Sequence, residues 1–133
     1  MQLGIFAKTF EGKNPGVVLP QVATAGFSVA QYNLACSGLS SMPDTIDDNV
    51  LDEVRHSVAT SGVTLNALSA TYNMIHPDKV ERIKGLARLA VVAKAAHDLG
   101  IPTVTLCTGS RDATDQWRHH PDNSSTDAWR DLI

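Results

Sequence analysis

Three times along this chain a helix-patterned stretch stops at a glycine and an apolar, strand-like run starts immediately after it. The glycines are Gly26, Gly62 and Gly100, and the runs begin at Phe27, Val63 and Ile101. Glycine is favoured just past a helix C-terminus because it accepts the left-handed backbone conformation that ends the helix. A strand that returns after an intervening helix pairs in parallel with its predecessor, and the repeat here is roughly thirty residues, the length of one such unit. The chain therefore reads as repeated βα units: an α/β fold with a parallel sheet and helices packed on it. In such folds the loops after the strands carry the chemistry. The fourth apolar run is followed by a helix that has barely begun at Ile133. The pattern is therefore expected to continue past this point, with the site only partly present.

The expected elements follow from periodicity and caps. Strand one is Gln2–Ala7, followed by the loop Lys8–Asn14 and a helix from Pro15 to Ala25 with Val18, Val22 and Ala25 on one stripe. Strand two is Phe27–Leu34, the loop Ala35–Thr45 is rich in Ser, Gly and Pro, and a helix over Asp47–Ser61 buries Val50, Leu51, Val54 and Val58. Acidic residues in its first turn suit the helix dipole. Strand three is Val63–Thr71, the loop is Tyr72–Pro77, and a long helix over Asp78–Leu99 has a broad apolar face of Ile83, Leu86, Ala87, Ala90, Val91 and Ala95. Strand four is Ile101–Cys107, with Pro102 tolerated at a strand start. The longest and most polar loop, Thr108–Ser124, leads to a helix capped by Ser124 or Ser125.

Residues 1–133 are expected to form a single domain, long enough to bury a core without disulfide or metal staples. A net charge of −3 argues against nucleic acid or an anionic membrane as an electrostatic partner. No run of about 18 apolar residues is present, so no membrane span is expected. The N-terminus Met1–Phe10 reads as a strand without a basic leader, which leaves the cytoplasm as the expected location. Cys36 and Cys107 belong to the second and fourth strand units. Second-neighbour strands lie roughly 9.6 Å apart, beyond the ~7 Å reach of a disulfide, so both thiols are expected reduced.

The strings GIFAKTF (Gly4–Phe10), AQYNLACSGL (Ala30–Leu39), TYNMIHPD (Thr71–Asp78) and TLCTGSRD (Thr105–Asp112), with Trp117 and the HPDN of His120–Asn123, resemble the sugar phosphate isomerase/epimerase group, the xylose-isomerase-like TIM barrels. The resemblance covers nearly the whole chain, and TYNMIHPD and TGSRD are its most specific parts. It implies a (β/α)₈ barrel of about 250 residues, of which this chain is the first four βα units, a half-barrel. It also implies metal-assisted isomerisation or epimerisation of a sugar or sugar phosphate, with paired carboxylates moving a proton between adjacent carbons. The family's metal ligands lie on strands five to eight, which this chain lacks. A divalent metal is thus expected for the complete barrel, none is expected to bind tightly here, and this chain alone is expected to be inactive. Its expected partners are a small sugar and either a second copy or a complementing C-terminal half-barrel. Two other readings stand: a half-barrel that acts only with a partner, and a phosphoesterase like the endonucleases of the same fold.

Within that frame the candidate substrate contacts are Gln31, Asn33, Tyr72, Asn73, His76, Gly109, Arg111, Trp117 and His120. His76 suits a sugar hydroxyl or a metal-bound water, or else caps the following helix. Tyr72 and Asn73 either meet substrate or make a packed ring and a local turn. Gly109 permits close backbone approach and an anion-binding turn, while Arg111 pairs with an anion or simply with a surface carboxylate. Gln31 and Asn33 alternate with Ala30, Tyr32 and Leu34 along strand two, which suits a polar barrel mouth or bonding within the wall. His119 and His120 are adjacent and point in different directions. With Trp117 they suit a lid or plug.

Overall fold

The computed structural model describes residues 2–133, so Met1, the first residue of the N-terminal run, lies outside the described residues. Four parallel strands form one sheet in the order β1-β2-β3-β4: β1 is Gly4–Phe6, β2 Val29–Tyr32, β3 Thr64–Ser69 and β4 Val104–Thr105. The helices α1 (Pro15–Thr24), α2 (Asp48–Ser61), α3 (Lys79–Asp98) and α4 (Thr126–Leu132) connect or follow them. This is the parallel βα topology read from the glycine-punctuated repeat, and it agrees with the half-barrel that the resemblance implies. Among the described residues no helix is long and apolar enough to cross a membrane.

Every strand is shorter than its apolar run. A ladder needs a partner at each position, and the runs overshoot it. Ala7–Thr9 and Leu34–Ser37 leave β1 and β2 as 3-10 turns. Pro102 has no N–H to donate, and β4 has a neighbour on one side only. Between Ala30 and Gln31 the register against β3 shifts by one residue, so Gln31 pairs with Ala67. Such a bulge adds local twist, which a curving sheet uses.

Residues paired in a parallel ladder point to the same side. Ile5, Ala30, Tyr32, Leu68 and Val104 face the helices and join the core with Val18, Leu19, Val22, Leu51, Val54 and Val92. Tyr32 is fully buried and shares a 2.8 Å hydrogen bond with the Ser37 hydroxyl. Burial pushes its phenol up beyond its ordinary range. The other face carries Phe6, Gln31, Ala67, Ser69 and Thr105.

The helix stripes hold in α1 and α2, and in α3 only in part: of its expected face Ala95 is buried and Val91 half-buried. Val18 and Val22 are buried, as are Leu51 and Val54, whereas Ala25 is exposed. In α3 the buried residues are Gly85, Val92, Ala95 and Ala96, and Ile83, Leu86, Ala87 and Ala90 are exposed. On the buried side Tyr72 lies on α3 at Gly85, where an added Cβ would stand 2.1 Å from the ring, so only glycine allows this close approach. Cys36 is buried, Cys107 half-buried, and both thiols are free.

Candidate functional site

The C-terminal ends of the strands gather the loops on one rim. Its floor is the inner sheet face. The Gln31 side-chain amide on β2 donates to the Thr105 hydroxyl on β4 at 2.9 Å, reaching past β3. Side chains from alternate strands meeting in one layer is how a barrel interior is filled. Ser69 is buried on the same face, and its hydroxyl lies 3.5 Å from that of Thr71. The inner face at the mouth is therefore hydroxyl- and amide-lined, with the half-exposed ring of Phe6 in register beside Gln31.

Above this floor, the loops after β3 and β4 are fastened into one body. The Asn73 side chain donates to the Ser110 carbonyl at 2.7 Å and accepts from the Ser110 N–H at 2.9 Å. Gly109, at φ +84°, lets the chain pass beneath it: a Cβ there would sit 2.1 Å from Asn73 Oδ1 and 2.8 Å from Asn73 Cα. His76 accepts from the Asp78 N–H at Nδ1, 3.0 Å away, which puts the ring proton on Nε2, 3.1 Å from the Ala113 carbonyl. Arg111 donates to the Ile75 carbonyl and to Asp131 at 3.0 and 2.7 Å, and Arg82 joins Asp131 at 3.0 Å. The Arg111 guanidinium, aided by Arg82, holds the Asp131 carboxyl below its ordinary range.

The other candidates take separate places. Asn33 is buried at the end of β2, where Oδ1 accepts from the Ala35 N–H and the Ser41 hydroxyl, both at 2.9 Å, and Lys8 lies 3.4 Å beyond Ser41. Tyr72 packs on α3 rather than over the mouth, and burial raises its phenol. Trp117 is 71% exposed. His120 accepts the Asp122 N–H at 3.2 Å and so caps the 3-10 turn Pro121–Ser124. The structure thus brings Asn73, His76, Gly109 and Arg111 together, leaves Gln31 on the floor and sets Trp117 and His120 apart.

Ser69, Thr71 and Thr105 were not among the candidates, although the signal was present. Polar residues alternate with Leu68 and Ala70 on β3 and with Val104 on β4. Ser110 and Asn123 were also missed as structural nodes. Asn123 Oδ1 accepts from the Arg111 N–H at 2.7 Å and from the Ser110 hydroxyl at 3.2 Å, a pairing that no local pattern encodes.

The donor set does not fit a divalent metal. Among the described residues no three His, Cys, Asp or Glu side chains converge at ligand spacing. Both His76 nitrogens serve the backbone. Burial raises the Cys107 thiol, which disfavours the thiolate that would be a ligand. What the inner sheet face itself offers is neutral amide and hydroxyl groups.

A family model described as the xylose isomerase-like TIM barrel matches residues 19–133. Among solved structures the fold matches that of a 3-keto-D-glucoside 4-epimerase, YcjR, from E. coli in its apo form, with a TM-score of 0.70 at 13% sequence identity. The match covers 99% of this chain and 48% of that one, so the chain spans about half the length of the solved structure. No curated protein matches the sequence.

Proposed function

The chain belongs to the xylose isomerase-like TIM barrel family, and from that premise we propose that it forms the N-terminal half of the substrate mouth of a sugar or sugar phosphate isomerase or epimerase. The observation that carries this reading is the polar inner layer, the 2.9 Å Gln31–Thr105 bond with Ser69 and Thr71 on the same face. Amide and hydroxyl groups that both donate and accept match the alternating hydroxyls of a sugar, and Phe6 beside them supplies an apolar surface for its C–H edge.

The role of these residues is orientation. Gln31 and Thr105 hold hydroxyls at the floor, and the fused loops of Asn73, His76, Gly109 and Arg111 wall the rim. Moving a proton between adjacent carbons needs a base with a pKa near the working pH. Cys107, held protonated by burial, is a poor one. The base, and any divalent metal, would come from a complementing C-terminal half-barrel. Residues 1–133 are then a binding half and are inactive alone.

The test is an amide-resolved NMR titration of residues 1–133 with a ketose and its phosphate, alongside an epimerase assay. Shifts at Gln31, Ser69, Thr71 and Thr105 that vanish in Gln31→Leu support the reading. Shifts confined to other surfaces, or none, refute it. Turnover by the isolated chain refutes the division of labour.

A further inference from the structure

The fold uses only one side of the Asn33 amide. Asn33 is 3% exposed, and its Oδ1 accepts from the Ala35 N–H and from the Ser41 hydroxyl. Its Nδ2, which carries two N–H groups, has no hydrogen-bond partner among the described residues. No fully buried side-chain nitrogen or oxygen among those residues lacks a partner, so this nitrogen reaches the surface. Tyr32 faces the helices, and Asn33 follows it in extended backbone at φ −136° and ψ 137°. Its side chain therefore leaves on the opposite face, that of Gln31. Two residues along a strand advance the chain by roughly 6.6 Å, about the span of a sugar ring with its exocyclic carbon. A buried amide thus aims two donors into the mouth, above the Gln31–Thr105 floor. An aspartate would serve both Oδ1 bonds equally well; only an amide adds the donors.

A cation stands beside this amide. Lys8 lies in the 3-10 turn that leaves β1, the strand whose Phe6 is in register with Gln31. Its Nζ is 3.4 Å from the Ser41 oxygen, whose own proton goes to Asn33 Oδ1. Of the eleven Lys and Arg side chains, Lys8, Lys13 and Lys79 have no carboxylate within ion-pair distance among the described residues. Lys8 alone of these three makes a side-chain hydrogen bond, and its acceptor is neutral. We propose that Lys8 and Asn33 form an anion subsite on the β1–β2 side of the mouth. It takes a phosphate or carboxylate carried by the sugar, while Gln31 and Thr105 hold the hydroxyls. This inference rests on the sugar-binding reading above and narrows its substrate class to sugars that bear an oxyanion. The ammonium supplies charge and the two amide N–H groups supply direction. Hydrogen bonds to a charged acceptor are roughly twice as strong as neutral ones, so the pair discriminates against a sugar without the anion.

Amide-resolved NMR titrations of residues 1–133 with a neutral ketose, its phosphate, a sugar acid of the same length and inorganic phosphate read the subsite, with circular dichroism and Tm confirming the fold of each variant. The wild type is expected to bind the ketose phosphate or the sugar acid at least about tenfold more tightly than the neutral ketose, and the tighter of the two names the anion. Lys8→Met keeps the length of an exposed side chain without its charge. It is expected to bring anionic and neutral sugars within about threefold of each other and to leave the neutral ketose unchanged, whereas Lys8→Arg keeps the preference. Asn33→Asp keeps the acceptor for Ala35 and Ser41 and is expected to weaken the anionic sugar about tenfold or more. Equal affinities for neutral and anionic sugars in the wild type, or a preference that survives Lys8→Met, overturn the subsite, and shifts at Gln31 and Thr105 in the same titration leave the sugar reading standing. Shifts at Asn33 and Ser41 that inorganic phosphate alone reproduces, with none at Gln31 or Thr105 for any sugar, overturn the sugar reading and with it the place of this anion site in a sugar mouth.

Discussion

Asn73→Ala tests whether the β3 and β4 loops form one body. The substitution removes two hydrogen bonds, to the Ser110 carbonyl at 2.7 Å and from the Ser110 N–H at 2.9 Å. Each contributes about 1 kcal/mol net, and stranding a buried amide adds about 1–3 kcal/mol. Ser110 is only 1% exposed, so water does not replace the lost partner. The expected cost is about 3–5 kcal/mol, a fall of roughly 1.5–2.5 M in urea midpoint at an m-value of about 2 kcal/mol/M. Asn73→Asp separates the two bonds: it keeps the acceptor for the Ser110 N–H but points a second oxygen at the Ser110 carbonyl, so it should be no milder than alanine. Gly109→Ala in both backgrounds adds a coupling. Its Cβ meets Asn73 Oδ1 at 2.1 Å, a clash that Asn73→Ala removes, while the 2.8 Å contact with Asn73 Cα stays. The double variant should therefore cost less than the two singles together. Urea denaturation and hydrogen exchange of the Ser110 amide measure both effects. A loss below about 0.5 kcal/mol for Asn73→Ala, or strictly additive singles, would refute the clamp.

Further expectations follow from the same geometry. Gly85→Ala should lower Tm even though alanine favours a helix by about 1 kcal/mol, because its Cβ would stand 2.1 Å from the Tyr72 ring, and Tyr72→Ala in the same chain should restore the gain. His76→Ala should cost about 1–2 kcal/mol in urea denaturation through the lost bonds to Asp78 and Ala113, and an unchanged midpoint would leave His76 free for ligand alone. The Asp112 carboxyl is held down to about 2, first by the Thr114 N–H, then by the Thr114 hydroxyl and the Asp115 N–H. Because the folded value is depressed, its contribution to stability is full above about pH 4 and is lost as pH falls toward about 2. Asp112→Asn should flatten the stability profile in that window, and an unchanged profile would show that the turn does not depend on the charge.

The sequence by itself determined the order and direction of the elements. Glycines at helix ends and apolar runs of strand length are local signals, and a strand–helix–strand repeat has one parallel solution. The rim was legible too, since loops after parallel strands must share an edge, and it holds His76 and Gly109 together as their positions required. Only the tertiary structure decided what each rim side chain does. Asn73 and Ser110 stand far apart in the chain, and nothing in either neighbourhood says that the amide of one is spent on the backbone of the other. The same holds for Arg111 with Asp131 and for Gln31 with Thr105. The rotation of α3 was likewise hidden. Periodicity shows that its residues are apolar, but a helix apolar on both sides does not announce which side is buried, and in the structure it is the side with Gly85 beneath the Tyr72 ring.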